Sequence, residues 1–456
     1  MTTMANKNRN HLFLILTMTG FSLLFIYFAI TNLILSLIFA AIFFLTIILY
    51  QKPEFGIYLI LFSLLGGQLV KISLGAGESS LLLSDLIIPY LVLVWLLRVI
   101  IERKAIISSS MGPFLFLFLS VAFISMVNGL RFLEPKQILI SVFYLFRLLS
   151  YGFLFYISAT VYSQNSRRII RFKQVMIAVF FIFSLLGIMQ LIYFPSLLPW
   201  AGQTGWDPHI GRLFATFLDP NFAGAFLVFG FILSLSLLTY AKPIEDKIIL
   251  TLVSISTLTT IILTYSRSSY LFLFVSFLIL SILRSKKLLL LGVAAIIILL
   301  LIFPKSMERI EGGFSIDESA VKRFASWEKT MVIIRDHPLL GVGYNAFEPA
   351  QKSYALINIY DKSRSDTGSD SSLLTILATT GFIGLLSYLL FYLISIIKAK
   401  KIFSFSHSTT KKAFGLALVS IMIGLLFHSL FANSLLYPAM MIPLFLSLGI
   451  ISAEPA

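Results

Sequence analysis

The chain has no cysteine among its 456 residues. That excludes a disulfide framework, a thiol nucleophile and a thiolate metal site. Charge is scarce as well. Asp, Glu, Lys and Arg make up 12% of the residues against 58% hydrophobic ones, far too little polar material to cover a water-soluble protein of this size. The five histidines, at positions 11, 209, 337, 407 and 428, do not show the spacing that brings two imidazoles to one ion on a helix face. No metal and no cofactor is expected. The alternating polarity of a membrane β-barrel is missing too, since runs such as 288–303 are apolar throughout.

What is present is lipid-soluble helix. Mean hydropathy is +0.96, and stretches of about 20 apolar residues, enough to cross a hydrocarbon core of ~30 Å, recur from Leu12 to Ile451. Pro, Gly, Asn and charge clusters place spans near 11–29, 32–50, 55–70, 81–97, 113–129, 138–162, 174–194 and 221–240. Further spans follow near 248–264, 268–283, 288–304, 373–397, 413–430 and 435–452. The fold class is an all-α integral membrane protein of about 14 transmembrane helices (12–14), organised as one polytopic domain over 1–456. Lys7 and Arg9 precede an apolar run as in a signal peptide, but no small-residue cleavage site follows and the run continues to Tyr50, so two retained spans are expected.

Starting from a cytoplasmic N-terminus, alternation puts twenty of the 35 Lys and Arg residues on the cytoplasmic side, in short loops such as 167–173 and 284–287. Only Glu54, Glu102, Glu245, Asp246 and Glu454 accompany them, so the whole net charge of +15 lies there. This is the positive-inside pattern. It accounts for the basic balance as topology and argues against nucleic-acid binding. Both termini are expected in the cytoplasm and the working face outside.

Two outer loops are long, 195–220 and the large extracytoplasmic loop 305–372. In the latter, Ser315 and Glu318 have capping-box spacing, and Val321, Phe324, Trp327, Met331 and Ile334 recur at helical spacing up to Pro338. An amphipathic helix on the outer membrane surface is expected, with Lys322, Arg323 and Lys329 turned to polar groups. Long structured loops of this kind commonly carry function.

Ionisable groups near the bilayer boundary are costly and therefore informative. Arg267 occupies the tight external turn Thr264-Tyr265-Ser266-Arg267, flanked by hydroxyls; its alternative is a snorkelling interfacial arginine. Arg212 precedes Asp219-Pro220-Asn221, where Asp219 is suited to cap a helix. Two planar guanidinium forks suit a diphosphate. Asp370 stands just before the apolar run 373–397, either as that helix's cap or as a carboxylate that activates an acceptor. His337 opens the turn Pro338-Leu339-Leu340-Gly341-Val342-Gly343. Arg147 and Asp85, inside spans, are expected to pair or to line a cavity.

In this order, these elements resemble the O-antigen ligase and polymerase superfamily of bacterial membrane glycosyltransferases, over about 212–449. The pattern comprises Arg212 ahead of Asp219-Pro220-Asn221, then Thr264-Tyr265-Ser266-Arg267, then Arg323 with Trp327. His337-Pro338-Leu339-Leu340-Gly341-Val342-Gly343, Asp370-Ser371-Ser372-Leu373-Leu374 and Gly381-Phe382-Ile383-Gly384-Leu385 complete it. The resemblance implies that Arg212 and Arg267 engage the diphosphate of a polyprenyl-linked glycan donor, with Asp370 orienting or deprotonating the acceptor and His337 or His209 as alternatives. Arg147, Arg323, His337, Asn221 and Ser266 are the implied substrate-binding neighbours. The ligase branch has histidine where this chain has Asp370, which favours a polymerase of O-antigen, capsule or exopolysaccharide repeat units over a lipopolysaccharide ligase.

The implied setting is the bacterial cytoplasmic (inner) membrane. A glycan or lipid-linked acceptor, membrane lipid and polysaccharide-export proteins are the expected partners. Two other classes compete with this reading. A transporter or flippase would show midplane polar sites and repeated halves, and no clear internal repeat is present. A non-catalytic assembly partner would tolerate loss of the arginines.

Overall fold

The computed structural model describes residues 19–20, 32–73, 80–103, 109–130, 133–163, 165–199, 207–302, 305, 307, 318–356 and 368–452. The expected span at 11–29 and the Ser315 arm of the capping box lie outside these residues. The described residues are mainly helical, with one short antiparallel strand pair among them. The helices are α1 (Leu33–Gln51), α2 (Glu54–Ser63), α3 (Leu83–Glu102), α4 (Gly112–Gly129), α5 (Pro135–Tyr162), α6 (Ser166–Tyr193), α7 (Pro220–Leu238) and α8 (Ile244–Leu263). They continue with α9 (Arg267–Arg284), α10 (Lys286–Ile302), α11 (Glu318–Asp336), α12 (Phe347–Ser353), α13 (Ser372–Phe405), α14 (Thr409–His428) and α15 (Pro438–Ser452). Strands β1 (Lys71–Ser73) and β2 (Ser80–Leu82) pair with Ile72 opposite Leu81.

Ten of the helices within the described residues are long and apolar enough to cross a membrane, so this is an all-α multi-pass membrane protein. Each of the other expected spans within the described residues coincides with a helix. The 55–70 span is different in kind: α2 and the single 3-10 turn after it, Leu64–Gly66, rise only about 20 Å, less than the ~30 Å of hydrocarbon. The chain then turns at Gly67 (φ +49°), where a Cβ would lie 2.5 Å from Thr216 O, and Gln68 N donates to Thr216 O at 2.8 Å. The break is thus seated on the loop that carries Arg212.

The protein interior is built on α7, which is buried along nearly its whole length, with α14 and α15 beside it. By contrast α1 leaves Leu33, Ile34 and Leu37 more than half exposed, as a lipid-facing helix should. Lipid gives no hydrophobic drive for helices to associate, so close packing of small residues does the work. A Cβ on Gly224 of α7 would meet Ser269 Oγ of α9 at 2.3 Å, and one on Gly449 of α15 would meet Phe155 O of α5 at 2.5 Å.

One span departs from the sequence reading. α13 is broken at Gly381 (φ +67°, ψ −174°), where a continuous helix over 373–397 is expected. The break frees carbonyls and N–H groups at membrane depth, which hydrocarbon cannot satisfy. The segment after His337 satisfies them: Val342 N and Gly343 N donate to Ala378 O and Thr379 O at 3.0 Å each, and Phe382 N donates to Pro338 O at 2.8 Å. Ser125 Oγ of α4 donates to Leu340 O and Thr379 O at 2.8 and 2.6 Å. Gly341 is at φ +66°, and a Cβ on Gly381 would lie 2.1 Å from Leu339 O. Gly341, Gly343 and Gly381 are therefore explained by a backbone clasp that only side-chain-free residues allow.

Candidate functional site

The segments 207–220, 264–267, 368–371 and 429–437 meet at one end of the bundle. The 264–267 turn is short and strained, with Tyr265 at φ +49°, a conformation that costs a non-glycine residue energy and is kept only when its surroundings hold it. Arg212 does so: its Nε donates to Thr264 O at 3.0 Å and its Nη2 to Tyr265 O at 3.3 Å. Leu213 N adds a bond to Leu263 O at 2.9 Å. Arg212 thus has a local structural role that its sequence context did not suggest, and part of its fork is committed to the turn that presents Arg267.

Arg267 is the first residue of α9. Its helix is capped by Ser266, whose Oγ accepts from Ser269 N and donates to Asn221 Oδ1 at 2.7 Å. Asn221 is held in turn by Asp219, which caps α7 as expected and accepts from Asn221 N at 2.7 Å and Phe222 N at 3.2 Å. The structure therefore joins Arg212, Asn221 and Ser266 to the turn from which Arg267 begins α9. Two residues of this site escaped the sequence reading. Gln190 Oε1 accepts from Phe214 N and Ala215 N at 2.8 and 3.0 Å, fixing the loop behind Arg212. Lys305 Nζ stands 4.9 Å over the Tyr265 ring and 3.1 Å from where a Cβ on Gly211 would be, adding a third cation.

Asp370 lies at the same end. The structure assigns the cap of α13 to Ser371, whose side chain accepts from Leu374 N at 3.5 Å, so Asp370 does not serve as the cap. Burial raises the pKa of its carboxyl, the Arg323 guanidinium lowers it, and the Asp219 carboxylate raises it further. Asp219 also acts on His209, whose pKa burial lowers despite the neighbouring Asp219 and Asp207 carboxylates. His209 is therefore neutral at pH 7, and its Nδ1 lies 3.5 Å from Asp207 Oδ2.

The expected stripe on α11 is split: Val321, Phe324 and Met331 are exposed, whereas Ile334 is buried and Trp327 half-buried against Phe431, with ring centroids 6.2 Å apart. Its C-terminal part is buried because α11 packs on α13. Arg323 is half-buried on this helix, and its guanidinium lowers the pKa of the Asp370 carboxyl. The helix's apolar exposed residues still leave a lipid-compatible face.

Two expected residues stand in other settings. His337 Nε2 lies 3.3 Å from Tyr354 OH, which donates to Asp336 Oδ2 at 2.7 Å; these groups edge a cavity of about 130 Å³ lined also by Leu133, Val342 and Ala350. Burial and the Asp336 bond push the Tyr354 phenol up to about 12. Arg147 pairs with Asp85, as one of its expected arrangements had it, donates to Ser80 O at 2.8 Å and lies over the Tyr144 ring at 4.5 Å. Tyr151 OH completes that buried network by donating to Asp85 Oδ1 at 2.7 Å. No group of His, Asp and Glu able to hold a metal ion occurs among the described residues.

Residues 252–389 match the family model described as O-Antigen ligase. That segment is similar to the O-antigen ligase family. The matched segment runs from α8 into the second half of the broken α13 and includes Ser266, Arg267, Arg323, His337 and Asp370. Arg212 and Asn221 precede it, yet bind directly to its first turn. Comparison with curated proteins gave no match. The similarity supports a membrane glycan-processing role.

Proposed function

We propose that the chain is a polymerase of polyprenyl-diphosphate-linked glycan repeat units, acting on the extracytoplasmic face of the bacterial cytoplasmic membrane with both termini inside. The observation that carries this reading is the convergence of Arg212, Lys305 and the Arg267 turn next to Asp370 at one end of the bundle. Three cations there suit a lipid diphosphate, an anion that needs several donors. The carboxylate suits an acceptor hydroxyl.

In the reaction, an acceptor sugar oxygen attacks the anomeric carbon of the donor glycan and forms the new glycosidic bond. The bond from that carbon to the diphosphate oxygen breaks, and its electron pair leaves on the lipid diphosphate. The hydroxyl proton passes to Asp370. Arg212, Arg267 and Lys305 stabilise the charge that develops on the leaving group, which requires prearranged donors more than covalent chemistry. Asp219 holds Asn221, and through Ser266 holds the turn. No nucleotide and no metal enters this scheme.

Aspartate at 370, in place of the histidine of the ligase branch, supports polymerase over ligase. Lipid-linked glycans of a deletion strain test the choice. Accumulated single repeats are the result expected of a lost polymerase; accumulated long lipid-linked chains would make the chain a ligase instead.

A further inference from the structure

The groups flanking Asp370 on the side of α11 are not used by the reaction as written. Ser369 is 1% exposed, and its Oγ is buried without a hydrogen-bond partner; the same is true of Asn433 Oδ1 and Trp327 Nε1. Buried polar atoms are nearly always paired in native proteins, so several orphans in one place call for something that completes them. Ser369 and Asn433 lie together, and Trp327 stands beside the turn that carries Asn433. Asn433 Nδ2 lies 2.9 Å from where a Cβ on Gly368 would be, one residue from Ser369. The turn that carries Phe431 and Asn433 is tied beside Asp370, since Ser372 N donates to Ser429 O at 2.8 Å and Ser372 Oγ to Ala432 O at 3.0 Å. Trp327 packs near Phe431 on that turn, and Arg323, one helical turn before Trp327, acts on Asp370.

The chemistry here differs from the cationic side of the site. It offers an indole N–H that can only donate, an amide oxygen that accepts, a hydroxyl that does both, and aromatic surface. A pyranose presents the complement: adjacent hydroxyls that donate and accept, and a C–H face that packs on an aromatic ring. We infer that Trp327, Phe431, Asn433 and Ser369 form the subsite for the acceptor sugar and hold its attacking hydroxyl at Asp370. The role of that sugar as acceptor rests on the transferase reading above, whereas its binding can be measured separately.

The probe is the repeat-unit oligosaccharide freed from the cell's own lipid-linked precursor by mild acid, hence without lipid or diphosphate. It is titrated by calorimetry into the full-length protein in nanodiscs. Saturable binding is expected, weakened about tenfold or more by Trp327→Ala and by Asn433→Ala. Trp327→Phe keeps an aromatic face and should fall between. In turnover assays both alanine variants should raise KM for acceptor with KM for donor unchanged, and Arg267→Ala should bind the oligosaccharide normally. Unchanged affinity and unchanged acceptor KM in both folded alanine variants would overturn the subsite and leave the orphan atoms to ordered water; so would absence of binding by the unaltered protein. Trp327-dependent binding by a protein that turns over no lipid-linked donor would uphold the subsite and overturn the transferase reading.

Discussion

Arg212 and Arg267 differ in how they are held, and the difference sets what substitution should do. Lysine is a compact point charge that cannot reproduce the two bonds from Arg212 to the Thr264 and Tyr265 carbonyls. Arg212→Lys should therefore be nearly as damaging as Arg212→Ala, and Arg267→Lys likewise if its fork grips the diphosphate. A lost charge-assisted contact in a water-poor site costs ~2–4 kcal/mol of transition-state stabilisation, roughly thirty- to a thousandfold in rate. Since Arg212 also supports the turn under Arg267, the double variant should lose less than the product of the single losses. Multiplying losses in a steady-state assay would show the two to be independent.

Asp370 yields a pH prediction. It must be ionised to accept a proton, so activity falls as pH drops through its pKa. Burial raises that pKa, while Arg323 lowers it. Arg323→Met removes the lowering charge and should move the acid limb of the rate profile to higher pH, an outcome that a merely structural Arg323 would not produce. Asp370→Asn should abolish most transfer with little change in melting temperature, because Ser371 and not Asp370 caps α13. The arginines, Asp370 and the Asp219 cap were readable as residue types in sequence context. Lys305, Gln190 and Asn433 were not, since each reaches the site through a tertiary contact with no local pattern.

Among the elements, helix positions were legible because a hydrophobic run of membrane length has few alternatives, and each expected span within the described residues apart from 55–70 is occupied by helix. The break in α13 was hidden because Gly381 sits in an apolar run, and hydropathy does not register which backbone groups are bonded to another segment. The burial of Ile334 on α11 was hidden for a related reason: a helix packed on protein with one face and facing lipid with another shows a broad apolar stripe. The clasp makes the break testable. Gly381→Ala places a Cβ 2.1 Å from Leu339 O at a positive φ, so the detergent-solubilised protein should lose ~2 kcal/mol or more of stability, read as a lowered melting temperature. Phe382→Ala, on an exposed neighbour, should have a small effect. Equal melting of Gly381→Ala and the parent would show that the clasp contributes little.

For the molecule as a whole, the proposal requires the site end to face away from the cytoplasm. Because the chain has no native cysteine, single substitutions report topology cleanly. Ser353→Cys, in an exposed position at the end of α12, should react with a membrane-impermeant thiol reagent on intact spheroplasts, whereas Ser404→Cys, exposed near the end of α13, should react only after lysis. The opposite pattern would move the site to the cytoplasm. The most direct test of the central claim is turnover of a purified polyprenyl-diphosphate-linked repeat unit by the reconstituted protein without nucleotide. The account predicts elongated glycan with one lipid diphosphate released per transfer, slowed at least about thirtyfold by Arg212→Lys and by Arg267→Lys. Lysine variants that elongate the glycan at near-parental rates would contradict it.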